Sequence, residues 1–545
     1  MSFSHKGTVH RSTVTGRRGM VTSAHPLASL AGLRILMQGG NAIDAIVATA
    51  AALNVVEPYM SGMAGNGYMH LYSASTGDHF ILDYMATTPQ AAHAHLFNSE
   101  ETHLKGPQTS LIPGGIGGWL AALERYGTME PATVFTPAIE YAEQGVALTV
   151  KNAEFYNMDA PNLLAQPNSG QVYVQPGVEQ QAGNVVVQTD LAHTLRLIAR
   201  DGADVFYKGE IADRLVQYMA ENGGLITHDD LASFQVEWQK PIHVDYRGYK
   251  IYVPEPPCQA VQYLELLNMM EGYDVAEMGH NSAATLHRFI ESAKLATADR
   301  IAYTAGENPP TAGLISKGYA AERRALITDR AQPTGGERYS PNRLPNEITA
   351  GNPHAWMQTE NTTHFEAVDA EGNAVAVTQS LGALFGSSVV IPGTGIAMND
   401  FLYWMDRDAD SPNVIAPRKK MEMCMSPVQV WKDGKLRFMV GTPGSYGILQ
   451  TTPQMIMNVI DHGMNIQAAI EAARVKATSP GVLVDVENRV PADVRAELEK
   501  MGHELNLIGD FSMMVGGGQG IEVDPESGAF MGGADPRRDG YAIGW

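Results

Sequence analysis

The chain has 545 residues, 59 Asp and Glu against 38 Lys and Arg, a formal net charge of −21 and 44 % hydrophobic residues. That balance argues against nucleic acid, whose phosphates require a basic surface, and the short run Arg418-Lys419-Lys420 is too small to reverse it. Only two cysteines are present, Cys258 and Cys424, so no disulfide framework is expected. The first twenty residues carry Lys6, Arg11, Arg17 and Arg18 without an apolar segment, and no apolar run approaches a membrane span, so the sequence predicts a cytoplasmic protein with no membrane partner.

The first third reads as α-rich. Pro26 to Gln38 predicts a helix closed by Gly39-Gly40, and Asn41 caps a second one whose Ile43, Ile46, Val47, Ala50 and Ala51 mark one buried face. Tyr68–Tyr72 and His79–Tyr84 flank Ser75-Thr76-Gly77-Asp78 as a β-hairpin. Residues 115–330 read as mostly helical, with breaks at Pro131, Gly145, Pro161 and Gly202, and Pro254 to Pro257 as a stiff extended segment. The polar stretch from Ala331 to His354 reads as a loop.

After it the pattern changes to hairpins: 363–380, Pro427–Val440 and Gln519–Met531, with helices at Gln454–His462 and Ile466–Ala472. Antiparallel strands with separate helices predict an α+β layered sandwich. Two Gly-rich runs, Pro113 to Gly118 and Gly516 to Gly520, lack the strand–loop–helix context of a dinucleotide site and read as close-packed turns. His93, His95 and His103 form no recognisable metal motif, so neither metal nor cofactor is expected.

At the mouth of the first late strand stands Asn361-Thr362-Thr363-His364. A Thr hydroxyl is a weak nucleophile at neutral pH, and its own α-amine can serve as general base once the peptide bond before it is cut. The bond in question is Asn361–Thr362, and the polar loop before it would tolerate a break.

The chain carries Gln38 to Ala45, Val56-Glu57-Pro58, Ser61 to Gly67, Ile112 to Gly115, Tyr126 to Met129, Thr362-Thr363-His364, Met425-Ser426-Pro427, Gly441 to Ser445 and Ala534 to Arg537. In these motifs and their order it resembles the γ-glutamyltransferase family of N-terminal-nucleophile hydrolases. The resemblance implies an αββα fold, self-cleavage into a large part (1–361) and a small part (362–545) that together form one layered domain, and a small-molecule amide substrate. It further implies Thr362 as nucleophile, Ser380 as the hydroxyl supporting it, and the backbone N–H groups of Gly444 and Ser445 as the oxyanion hole.

The departures from the family pattern concern the acyl pocket. Where transferases clamp the glutamyl α-carboxylate with an Arg and a Ser-Ser pair, this chain has Met85, Met423 and Cys424, and where they hold the α-ammonium it has Gly382, Phe401 and Trp404. These substitutions imply an acylase-like amidohydrolase whose acyl group lacks the amino-acid head. A γ-glutamyltransferase or glutathione hydrolase, and a non-catalytic binding protein on the same fold, are the alternatives. Homo-oligomerisation and the balance of hydrolysis and transfer stay open.

Overall fold

The computed structural model describes residues 4, 7, 9–99, 103–166, 168–304, 309–334, 361–478 and 481–545, with Asn361 and Thr362 by backbone alone. Two seven-stranded sheets form its centre. The first runs, edge to edge, through Tyr541–Gly544, Gly19–Ser23, Asn361–Asp369, Ala374–Gly382, Asn66–Ser73, Asp78–Asp83 and Glu237–Gln239, every pair antiparallel. The second runs through Val14–Gly16, Phe530–Ala534, Gln519–Val523, Lys435–Gly441, Gln429–Lys432, Tyr249–Val253 and Ile242–Tyr246. The sheets face each other where strands 361–369 and 519–523, and 19–23 and 530–534, meet.

Met20, Val368, Ala376, Met439, Ile521 and Phe530 fill the space between the sheets. Helices Pro26–Met37 and Ala42–Val56 cover the first sheet, and Val261–Met270, Ile448–Ile460 and Ile466–Glu471 cover the second. This is the αββα sandwich. Because both faces of the first sheet are covered, strand Ala374–Gly382 is buried at every position.

The second helix departs from the expectation of a single buried face, since all of its residues from Ala42 to Val56 are buried. It lies between the first sheet on one side and helices Pro26–Met37 and Pro131–Gln144 on the others. Its start is held by a capping box: Asn41 Oδ1 accepts from Ile43 N and Asp44 N, and Asp44 Oδ2 accepts from Asn41 N at 2.9 Å. Asp44 also accepts from the backbone N–H of Thr128 and Met129 and from the Thr128 hydroxyl, which explains why the motifs at 38–45 and 126–129 occur together. Asp44→Ala leaves these buried donors unmatched, and a loss of about 3 kcal/mol is expected in urea unfolding, with the fold retained.

Other differences are local. Residues 115–330 include the short pair Val146–Ala147 and Val185–Val186 and the strands Glu237–Gln239, Ile242–Tyr246 and Tyr249–Val253, the last two joined by the tight turn Arg247-Gly248. Pro161 lies inside helix Val150–Ala165 instead of ending it, and Pro131 opens a helix at its first turn, where a missing N–H costs nothing. The helix expected from Gln454 begins at Ile448 and runs through Pro453. Of the loop expected from Ala331 to His354, residues 335–354 lie outside the described residues. Among the described residues no helix is long and apolar enough to cross a membrane.

Candidate active site

Thr362 sits at the start of a central strand, in a register irregularity. Asn361 is opposite Gly382 but Thr363 is opposite Gln379, so the pairing slips by one residue at Thr362. The extra residue lies on the partner strand, where Ser380 and Leu381 together stand opposite Thr362, so the bulge bends strand Ala374–Gly382 at that point. Beneath Thr362 its own strand is locked. Thr363 Oγ1 donates to Glu57 Oε2 at 3.2 Å, and burial lifts the Glu57 carboxyl to about 7 against the pull of Arg538. The Glu57 of the Val56-Glu57-Pro58 motif thus touches the residue next to Thr362, a role the sequence alone did not suggest.

His364 is buried between the sheets, with Nδ1 2.9 Å from Thr378 Oγ1 and Nε2 2.9 Å from Glu366 Oε1. Burial drives the two groups in opposite directions, the imidazole down to about 3 and the carboxyl well above its usual range, so the pair is neutral. The ring also packs on Gly441, where a Cβ would run into it. The strand bearing Thr362 is thereby seated against the segment that leads to Gly444.

That segment makes a strained turn. Gly444 has φ 133° and Ser445 φ 54°, a left-handed conformation that a serine adopts only under constraint. The turn opens the short helical turn Ser445–Gly447 and then helix Ile448–Ile460, so its N–H groups belong to a helix start, where a negative charge is stabilised. The constraint comes from behind: Thr442 Oγ1 accepts from Gly517 N at 2.8 Å, and Gly518 N donates to Asp535 Oδ2 at 2.7 Å. The Gly516–Gly518 run is a close-packed support for the turn.

Asp535 is fully buried. Burial opposes its ionisation, but the Arg537 and Arg474 guanidinium groups at 3.0 and 2.7 Å hold it ionised down to about 2. Its folded value therefore lies below the unfolded carboxylate value of about 3.9. The stabilisation is fully present above pH 4 and is lost as pH falls from about 4 through 2, amounting to about 2–3 kcal/mol. Asp535→Asn should remove this part of the acid transition. It should also cost about 3–5 kcal/mol at pH 7, because two buried guanidinium groups lose a partner; urea midpoints measured from pH 7 to pH 2 check both.

Ser380 is buried and its Oγ accepts from Gly382 N at 2.9 Å. Gly382 has φ 107°, and a Cβ there would collide with Asp400 Oδ1 and approach Trp404 Nε1 at 3.4 Å. Trp404 in turn packs on Tyr446, the residue after Ser445, with ring centroids 5.7 Å apart. Gly382, Trp404 and the Gly444-Ser445 turn are therefore linked through Tyr446. Phe401 is fully buried, and Met423 and Cys424 are buried side by side, with Cys424 Sγ 3.9 Å from Met423 Sδ. Met85 is buried on the segment that runs beside 419–420, where Thr87 bridges Lys420.

The structure adds three residues that sequence reasoning missed. Asp400 is buried beside Gly382, with Oδ1 accepting from Ala383 N at 2.7 Å and burial raising its carboxyl to about 7. Tyr446 lies between Trp404 and the guanidinium of Arg300, which stands 4.5 Å from its ring centroid. Tyr446 is adjacent to the Gly444-Ser445 motif and could have been found there, whereas Arg300 comes from a distant helix and carries no local signal.

The two-sheet αββα sandwich is the fold of the N-terminal-nucleophile hydrolases. The chain belongs to the γ-glutamyltranspeptidase family, whose model matches residues 28–545. It is 37 % identical to an acylase ACY 1 proenzyme of a Pseudomonas species (strain SE83) over 98 % of this chain and 95 % of that one. It is 33 % identical to the glutathione hydrolase proenzyme of Bacillus subtilis (strain 168), over 97 % and 92 %. The solved cephalosporin acylase of Bacillus halodurans superposes with a TM-score of 0.89 at 31 % identity, over 99 % of this chain and 98 % of that one. The protein is a hydrolase of amide bonds.

Proposed function

We propose that this chain is a self-processing acylase: it cuts its own Asn361–Thr362 bond, and the exposed Thr362 then attacks the amide of a small molecule whose acyl group lacks the glutamyl amino and carboxylate head. In this reading Thr362 Oγ attacks the carbonyl carbon and the freed α-amine takes its proton. The oxyanion is received by the Gly444 and Ser445 N–H groups at the helix start, the amine product leaves with the proton, and water resolves the ester. Ser380 supports the nucleophile, and parts 1–361 and 362–545 remain one body.

The acyl assignment rests on the residue types at Met85, Gly382, Phe401, Trp404, Met423 and Cys424, none of them charged: Met85, Phe401, Met423 and Cys424 are buried, and Trp404 is partly buried beside Gly382. The names of the relatives, one an acylase and another a glutathione hydrolase, mark the two substrate classes to be separated. Hydrolysis of a panel of chromogenic anilides bearing γ-glutamyl, glutaryl, acetyl, phenylacetyl and benzoyl groups separates them.

A further inference from the structure

Among the described residues, one group of side chains has metal-ligand chemistry, and it lies away from the active site. His287 and Glu291 stand one turn apart on helix Ala283–Tyr303, and His503 precedes strand Glu504–Leu507. One ligand atom from each lies within 4.8 Å of the other two, and all three side chains are buried. His287 Nε2 is 2.8 Å from the Thr328 carbonyl oxygen, which can only accept, so Nε2 carries the proton and Nδ1 presents a lone pair. That lone pair faces His503 Nε2 at 2.8 Å, while His503 Nδ1, also buried, has no partner among the described residues. Glu291 Oε1 accepts from Lys294 Nζ at 2.8 Å and Oε2 from Gln332 N at 3.1 Å.

We propose that His287 Nδ1, His503 Nε2 and Glu291 Oε1 form a structural site for a divalent cation of the zinc class, which fastens the seam between residues 1–361 and 362–545. Two imidazoles and one carboxylate suit zinc, and the carbonyl on the far nitrogen of His287 is the usual device for fixing a ligand's tautomer and aim. Zinc–nitrogen bonds of about 2.0–2.1 Å in a tetrahedron place the two nitrogens about 3.3 Å apart, so the present pair opens by about half an ångström. The proton on His503 Nε2 moves to Nδ1, and no net proton is released. Lys294 is the competitor. It yields Glu291 Oε1 to the ion and keeps its bond to the Gln332 carbonyl at 2.9 Å.

The position gives the site its consequence. Residues 328–334 are the last described stretch before the Asn361–Thr362 bond, and they lie on the second part: Ala331 N donates to Met501 O and Arg330 Nη1 to Lys500 O. An ion held by His287, Glu291 and His503 would pin this contact whether or not the bond is cut, so the inference does not depend on the proposed cleavage.

The test uses full-length, tag-free protein stripped with EDTA and titrated with zinc chloride or cobalt chloride. One equivalent should bind, cobalt should show the visible absorption of a four-coordinate site made by the three side chains and one water, and the thermal midpoint should rise by several degrees, since a ligand of the folded state alone stabilises it. His503→Ala should bind neither ion. Lys294→Met, which removes the competitor, should bind at least tenfold more tightly. Anilide hydrolysis should be equal in stripped and loaded protein. If His503→Ala does not fold, Glu291→Gln provides the same comparison with an uncharged isostere. Equal uptake by wild type and either ligand variant, or no cobalt spectrum in both wild type and Lys294→Met, overturns the proposal.

Discussion

Thr362→Ala is expected to remain a single folded chain of 58.8 kDa, while the wild type separates on a denaturing gel into pieces of about 39 and about 20 kDa, the shares of residues on either side of the Asn361–Thr362 bond. The proposed reaction is intramolecular. The Thr362 hydroxyl adds to the Asn361 carbonyl, the C–N bond breaks as an ester forms and frees the Thr362 α-amine, and water then hydrolyses the ester to the Asn361 carboxylate and the regenerated Thr362 hydroxyl. Alanine has no oxygen to donate, so the effect is all or none, whereas Thr362→Ser keeps the hydroxyl and should still be cut. N-terminal sequencing of the smaller piece should begin at Thr362. Two pieces of these sizes from Thr362→Ala would remove the assignment of the nucleophile.

The same variant isolates the role of the sheets. Strand Asn361–Asp369 is flanked by Gly19–Ser23 on one side and Ala374–Gly382 on the other, and both sheets contain strands from each of the two parts. Cutting at Thr362 severs no strand pairing from Thr363 onward. Native mass should therefore be unchanged by processing, and only denaturant should separate the pieces.

What the sequence disclosed follows the range of the interactions. Thr362 was legible as a hydroxyl at a polar strand start, whereas Gly444 and Ser445 were reached only through the resemblance to the family, and the helix start that follows them was not anticipated. The capping role of Asn41 was legible because a capped helix start is a local pattern. Its partner Asp44 was not understood until Thr128 was seen to donate to it, because that bond crosses 84 residues. The strands at 237–253 were hidden by the helical reading around them, although Ile242, Val244 and Tyr246 alternate with polar residues. Glu57, Asp400 and Arg300 owe their importance to partners far along the chain. The pairing of His287 with His503 spans 216 residues and has no counterpart in any short motif.

The acyl preference is the second large effect. Wild-type enzyme should turn over γ-glutamyl anilide at least about a hundredfold less efficiently than its best uncharged or dicarboxyl anilide. That ratio needs only about 2.7 kcal/mol of transition-state binding, and the absence of one guanidinium–carboxylate clamp in a desolvated pocket costs about 2–5 kcal/mol. Trp404→Ala reports on the same preference from the other side. Its ring lies beside Gly382 and against Tyr446, so truncation should open room for a larger acyl group and reorder the anilide panel. Self-cleavage should be untouched, because it uses a carbonyl already in the chain and no acyl pocket. The indole Nε1 is buried without a partner among the described residues, and Asp400 Oδ2 likewise. Trp404→Phe, which keeps a ring and removes only the N–H, then distinguishes shape from hydrogen bonding: an unchanged anilide ranking in Trp404→Phe beside an altered one in Trp404→Ala assigns the selectivity to the ring. Efficient release of glutamate from glutathione by the wild type would refute the acylase reading and return the chain to the glutathione hydrolases.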